Sequence, residues 1–178
     1  IPVPLPVPLV NASFEQPGTE KIKGWNGEGI AGTPAVDIPG WASDIDPNVV
    51  VADSGVETGY GATDGLWTAF LMGADPAVWQ NAGFLIAAED VFELKVDARN
   101  TWQGTTLRMT LYYLDADLRV PAATADVTVT DAMQTFTLPF NAADLPACVG
   151  KEIGIEFDNV TTEGQSWIGL DNVRLTVK

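Results

Sequence analysis

The side chains of this sequence that could do chemistry are carboxylates and tryptophans. It holds 24 acidic residues and six tryptophans, but no histidine and one cysteine. Without histidine there is no Ser-His-Asp or Cys-His nucleophile, the usual zinc sets are missing, and so is the commonest general base. The lone Cys148 excludes an internal disulfide, and its Leu145-Pro146-Ala147-Cys148 setting reads as a strand edge with a partly buried thiol. What remains is carboxylate chemistry, cation binding through oxygen, or stacking on an indole ring.

One carboxylate is awkwardly placed. Val173, Leu175 and Val177 alternate as the buried face of a strand, and unbroken parity puts Asp171, Gly169 and Trp167 on that same face. An unpartnered carboxylate there is costly to desolvate. Either a bulge at Leu170-Asp171-Asn172 turns it outward, or it has a partner. Calcium suits that role, because hard cations take carboxylate and carbonyl oxygens in irregular loops. Among the tryptophans, Trp25, Trp41 and Trp102 fall in loop-like segments, where an exposed indole serves as a platform for a sugar ring. The competing reading makes them plugs at the open ends of the fold. Trp67 reads as core, and Trp79 and Trp167 as core or pocket wall. Glu152 and Glu156 share one wet strand face, and nothing marks two acids as a glycosidase pair.

The elements that position these residues are strands. Phe92, Leu94 and Val96 alternate with polar residues, as do Leu107, Met109, Leu111 and Tyr113. The same period of two recurs at Val127–Val129, Phe136–Phe140 and Ile153–Phe157, with turn-forming residues between the runs. Residues 142–145 are compatible with a single helical turn. The expectation is an all-β, two-sheet antiparallel jelly-roll sandwich spanning 1–178 as one domain. Residues 1–8, which alternate proline with aliphatics, read as a strap along the sandwich. From 17 to 65 the chain reads as long loops with brief strands around 35–41 and 49–52.

A formal charge of −15 repels phosphate backbones, so nucleic acid is not an expected partner. No apolar run approaches the roughly 18 residues of a membrane span. The start at Ile1-Pro2-Val3-Pro4 reads as that of a mature form or an excised domain, which is an expectation. A secreted, extracellular or periplasmic protein, or part of a larger multidomain one, is expected.

Val10-Asn11-Ala12-Ser13-Phe14-Glu15, Ile38-Pro39-Gly40-Trp41, Thr63-Asp64-Gly65, Trp79-Gln80 and Ile168-Gly169-Leu170-Asp171-Asn172-Val173 together resemble the galactose-binding-like jelly rolls. That group includes carbohydrate-binding modules, and the resemblance implies a structural calcium held by Glu15 and Asp171, with Asp64 as a further ligand. The IPGW and LDNV segments are also similar to the Stig cyclases, which fold an indole-isonitrile terpenoid precursor into polycyclic alkaloids. That resemblance implies Asp171 as the acid and Trp79, where a tyrosine is expected, as its aromatic partner. The main expectation is a non-catalytic, calcium-stabilised module that binds a glycan or small molecule. The alternatives are a Stig-like cyclase and a structural or adhesion domain without a small ligand.

Overall fold

The computed structural model describes residues 3–18, 38–44, 54–73 and 77–178. One antiparallel sheet contains β1 (Leu5–Val7), β3 (Gly55–Thr58), β4 (Trp67–Met72), β6 (Val91–Trp102), β9 (Gln134–Asn141) and β11 (Trp167–Val177). The other contains β2 (Ala42–Ser43), β5 (Val78–Leu85), β7 (Thr106–Asp115), β8 (Leu118–Thr128) and β10 (Glu152–Asn159). Their orders are β3-β4-β11-β6-β9, with β1 also on β11, and β2-β5-β10-β7-β8. The fold is the expected jelly-roll sandwich.

Period-two burial explains the layers. Phe92, Leu94, Val96 and Ala98 of β6 meet Leu107, Met109 and Leu111 of β7 and Ile153, Ile155 and Phe157 of β10 in one core. The residues between them face outward, and these outer faces are where a ligand can be met.

β11 is the strand that organises the first sheet. β6 runs along one of its edges from Ile168 to Val177. β4 pairs with its other edge only at 167–170, and β1 only at 175–177. Between them, at Asp171–Arg174, the register against β6 slips and Asn172 takes a φ of 51°. This is the anticipated bulge, and it falls in the gap that β4 and β1 leave.

Two local expectations change, and a third lies outside the described residues. The described part of 35–41 is a turn, closed by Trp41 N–H donating to Ile38 O at 3.0 Å, and pairing begins only at Ala42. Residues 49–52 lie outside the described residues. Cys148 sits in a 3-10 turn, Pro146–Cys148, and is fully buried, because a proline at the start of that segment has no N–H for a ladder.

Candidate functional site

The gap in β11 gathers three carboxylates around the 59–67 loop. Before the bulge Ile168 and Leu170 face the core, and after it Val173 and Leu175 do. Asp171 therefore lies on the outer face of the six-stranded sheet, opposite its cross-strand partner Asp97. It is nevertheless fully buried. Its Oδ2 accepts from Thr63 N at 2.6 Å, Asp64 N at 2.8 Å and Thr63 Oγ1 at 3.3 Å, and its Oδ1 accepts from Asn172 N at 2.7 Å. Burial pushes its pKa up, and these donors hold back the rise. Asp97 accepts from the hydroxyls of Thr135 and Thr63, both at 2.6 Å, from Asn172 Nδ2 at 3.1 Å and from Arg174 at 2.9 Å. Burial pushes Asp97 up as well, but its hydrogen bonds and the Arg174 charge outweigh it, and its pKa lies below the ordinary aspartate value.

Glu15 holds the other end of the loop. Its Oε1 accepts from Leu66 N and Trp67 N, each at 2.8 Å. Gly65, at φ +85°, allows this approach, since a Cβ there would come within 2.3 Å of the carboxylate.

The carboxylates expected to hold calcium, Asp171 and Glu15, accept hydrogen bonds from N–H and O–H donors among the described residues. Asp64 contributes its backbone N–H to Asp171, and the residue itself is exposed. Among the described residues no three acidic, His or Cys side chains are grouped to hold a metal ion. The buried carboxylates act as anchors for the loop and the N-terminal segment.

The tryptophans separate by environment. Trp41 is not a platform: it is buried, packs against Phe14 and Phe157 at centroid distances of 5.4 and 5.9 Å, and donates from Nε1 to Asn11 O. The turn that carries it folds inward, and Gln80 ties that turn to the N-terminal segment through Gly40 O, Val10 O and Val10 N. Trp102 is 45% exposed and meets Trp167 edge-on at 6.1 Å. Trp25 lies outside the described residues. Trp79 is half-buried on the outer face of the five-stranded sheet, since its neighbours Val78 and Gln80 point inward. Trp79 and Asp171 thus stand on opposite outer faces with the core between them.

The face that carries Trp79 also holds a groove, which begins at its cross-strand neighbour Glu156. Across the ladder Trp79 pairs with Glu156, and Glu156 with Thr110. Arg119 of β8 lies 4.3 Å over the Trp79 ring and 6.0 Å from that of Tyr112, held by ion pairs to Glu156 and Asp44. Tyr112 lies flat on Gly154, whose absent Cβ would fall 2.1 Å from the ring, and donates to Asn81 Oδ1 at 2.6 Å. Burial raises the Tyr112 pKa, so it remains a neutral phenol. Beyond Glu156 the groove, about 480 Å³, is lined by Arg108, Thr110, Pro121, Thr124 and Asp126. Arg108 is held by both oxygens of Asp126, at 2.7 and 2.9 Å. The sequence shows each of these side chains on a wet strand face. What gathers them is the β5-β10-β7-β8 order, which joins strands distant in the chain and is not written in any one period.

A family model described as HpiC1-like, HpiC1 cyclase, matches residues 5–176. The chain is similar to the Stig cyclase Fisc from Fischerella sp. TAU, solved in complex with (3Z)-3-(1-methyl-2-pyrrolidinylidene)-3H-indole. The identity is 20% over 99% of this chain and 98% of that one, with a TM-score of 0.76. A cyclase from Fischerella sp. TAU in complex with 4-(1H-indol-3-yl)butan-2-one is similar at 19% identity over 99% and 98% of the two chains, with a TM-score of 0.71. The CBM22-1 xylan-binding domain of Paenibacillus barcinonensis Xyn10C is less similar: 13% identity over 83% and 96%, TM-score 0.55. No curated protein matches. The expected non-catalytic glycan module is corrected by these findings, since the family match and the more similar structures are cyclases. The resemblance that led there rests on motifs that hold the fold, such as Gln80 on the Trp41 turn, and not on a sugar platform.

Proposed function

The chain belongs to the HpiC1-like family, and from that membership we propose that it is a cyclase of an indole-bearing terpenoid, acting on the outer face of the five-stranded sheet. The single observation that carries this reading is the family match over residues 5–176, nearly the whole chain. The site chemistry supports it. An indole ring is planar and apolar with one N–H, and this face carries the half-buried Trp79 next to a groove whose lining includes Glu156 and Asp126 as acceptors. Arg119, paired with Glu156 and Asp44, keeps this wall ordered before substrate arrives. A cyclisation within one molecule needs such a shaped, ordered surface, because holding two ends of a flexible chain together supplies much of the rate.

Incubating the protein with an indole-isonitrile terpenoid precursor tests the reading. A polycyclic product of unchanged mass, formed in proportion to enzyme, is expected by chromatography and mass spectrometry. Folded protein that leaves the precursor unchanged would overturn the cyclase reading.

A further inference from the structure

The ring face of Trp79 is already occupied, by a side chain from the far edge of its own sheet. In the order β2-β5-β10-β7-β8, Trp79 stands on β5 and Arg119 on β8. A flat sheet would hold those two strands about 14 Å apart. Yet the Arg119 guanidinium lies 4.3 Å from the centre of the Trp79 ring. It reaches on to Asp44, the residue after β2 at the opposite edge, donating from both terminal nitrogens to both carboxylate oxygens. Its Nε donates to Glu156 Oε2, on the central β10, at 3.1 Å. Arg119 thus clasps the two edges of the sheet across its middle, and the face beneath it is concave. The groove stops where this clasp begins: Glu156 lines it, but Arg119 and Trp79 do not.

We propose that Arg119 is the displaceable occupant of a ligand subsite on the Trp79 ring, and that the indole of the substrate takes its place. This assignment rests on the cyclase reading for its ligand and deepens it, by naming the residue that decides what lies on that ring. A guanidinium is flat and delocalised, and it covers an indole face much as an aromatic ring would. The hold on it is uneven. At the Glu156 end both partners are mostly buried, with side-chain exposures of 23% and 24%. Asp44 is 58% exposed, so water takes over that half of the clasp at little cost. Once Asp44 lets go, the guanidinium can pivot on Glu156 and leave the ring. The groove then runs on from Glu156 to Trp79, joining its carboxylate acceptors to an aromatic floor. While the clasp is closed, apparent affinity falls in proportion to the fraction of molecules that are open. Only a ligand with a ring to lay on Trp79 gains a contact that offsets this loss, and that is how Arg119 selects.

The test is the Kd of an uncharged probe, 4-(1H-indol-3-yl)butan-2-one, for wild type, Arg119→Ala and Asp44→Asn at low and high NaCl. Melting temperatures and wild-type turnover of the indole-isonitrile terpenoid are measured alongside. Asp44→Asn keeps the guanidinium and loosens only its exposed end, so it should bind about two- to fivefold tighter than wild type. Arg119→Ala, which empties the subsite, should bind at least as tightly as Asp44→Asn. Added salt should bring wild type toward the variants, because it screens the exposed ion pair while the probe carries no charge to screen. Arg119→Ala should lack that part of the salt response. Either variant, folded, binding no more tightly than wild type would overturn this assignment, and so would a probe that binds none of the three. With turnover intact, such a result overturns the assignment alone. Absence of turnover in wild type, with the affinities ordered as expected, would overturn the cyclase reading and leave the subsite in place.

Discussion

At the scale of the residue, Asp171 and Asp158 show how two aspartates of one sequence meet different surroundings. Asp171 attracts notice in the sequence because strict alternation drives it into the core. The bulge and the 59–67 loop resolve that conflict by supplying four donor contacts to a carboxylate with no exposed surface. Removing it leaves backbone N–H groups of Thr63, Asp64 and Asn172 without an acceptor, and buried unpaired donors cost about 1–3 kcal/mol each. Asp171→Ala should therefore lower stability by about 3 kcal/mol, read by urea unfolding, whether or not substrate is present. Asp158 carries no such support, which is why it draws no attention in the sequence: a period-two wet face reads as solvated. Its folded-state pKa is raised, so ionising it disfavours the folded state. That contribution is absent at pH below the ordinary aspartate value and grows as pH rises through the raised one.

At the scale of the element, the long strands were legible and the short ones were not. β6, β7, β9, β10 and β11 each carry a dry stripe of three or more apolar residues, and that stripe is what burial selects. β2 has two residues and β3 four, too few for a period to stand out from loop composition. Their pairing is set by β5 and β4, which are remote in the chain. The Trp41 reading failed for the same reason. Gly40 and Pro39 mark a turn, but only Phe14, Phe157 and Gln80, brought in by other elements, decide that the indole faces inward. β10 gives an element-scale prediction. Gly154 is the position over which Tyr112 lies, and an alanine Cβ there would displace the ring and its bond to Asn81. Gly154→Ala should cost about 2 kcal/mol by urea unfolding and weaken indole binding with it, since the wall and the fold share that contact.

At the scale of the whole molecule, the fold class follows from strand number and turn spacing, while the site depends on strand order. The two sheets turn two different outer faces to the surroundings. One anchors the N-terminal segment and the 59–67 loop through Glu15, Asp97 and Asp171. The other assembles Trp79, Tyr112, Arg119, Glu156 and Asp158 from four strands. Sequence reasoning paired Trp79 with Asp171 because both lie in quotable motifs, but the core separates them. The charge of −15 accords with an uncharged apolar ligand, which neither gains nor loses much from the long-range field.

The central claim is that an indole substrate is held on the face that carries Trp79. The indole N–H resonances of a ¹⁵N-labelled sample, titrated with 4-(1H-indol-3-yl)butan-2-one, test it directly. Trp79 Nε1, buried without a hydrogen-bond partner, should shift on saturation, while Trp102 and Trp167 beyond the opposite sheet should stay in place. Shifts at Trp102 and Trp167 with Trp79 unmoved, or no shift at any tryptophan, would contradict it.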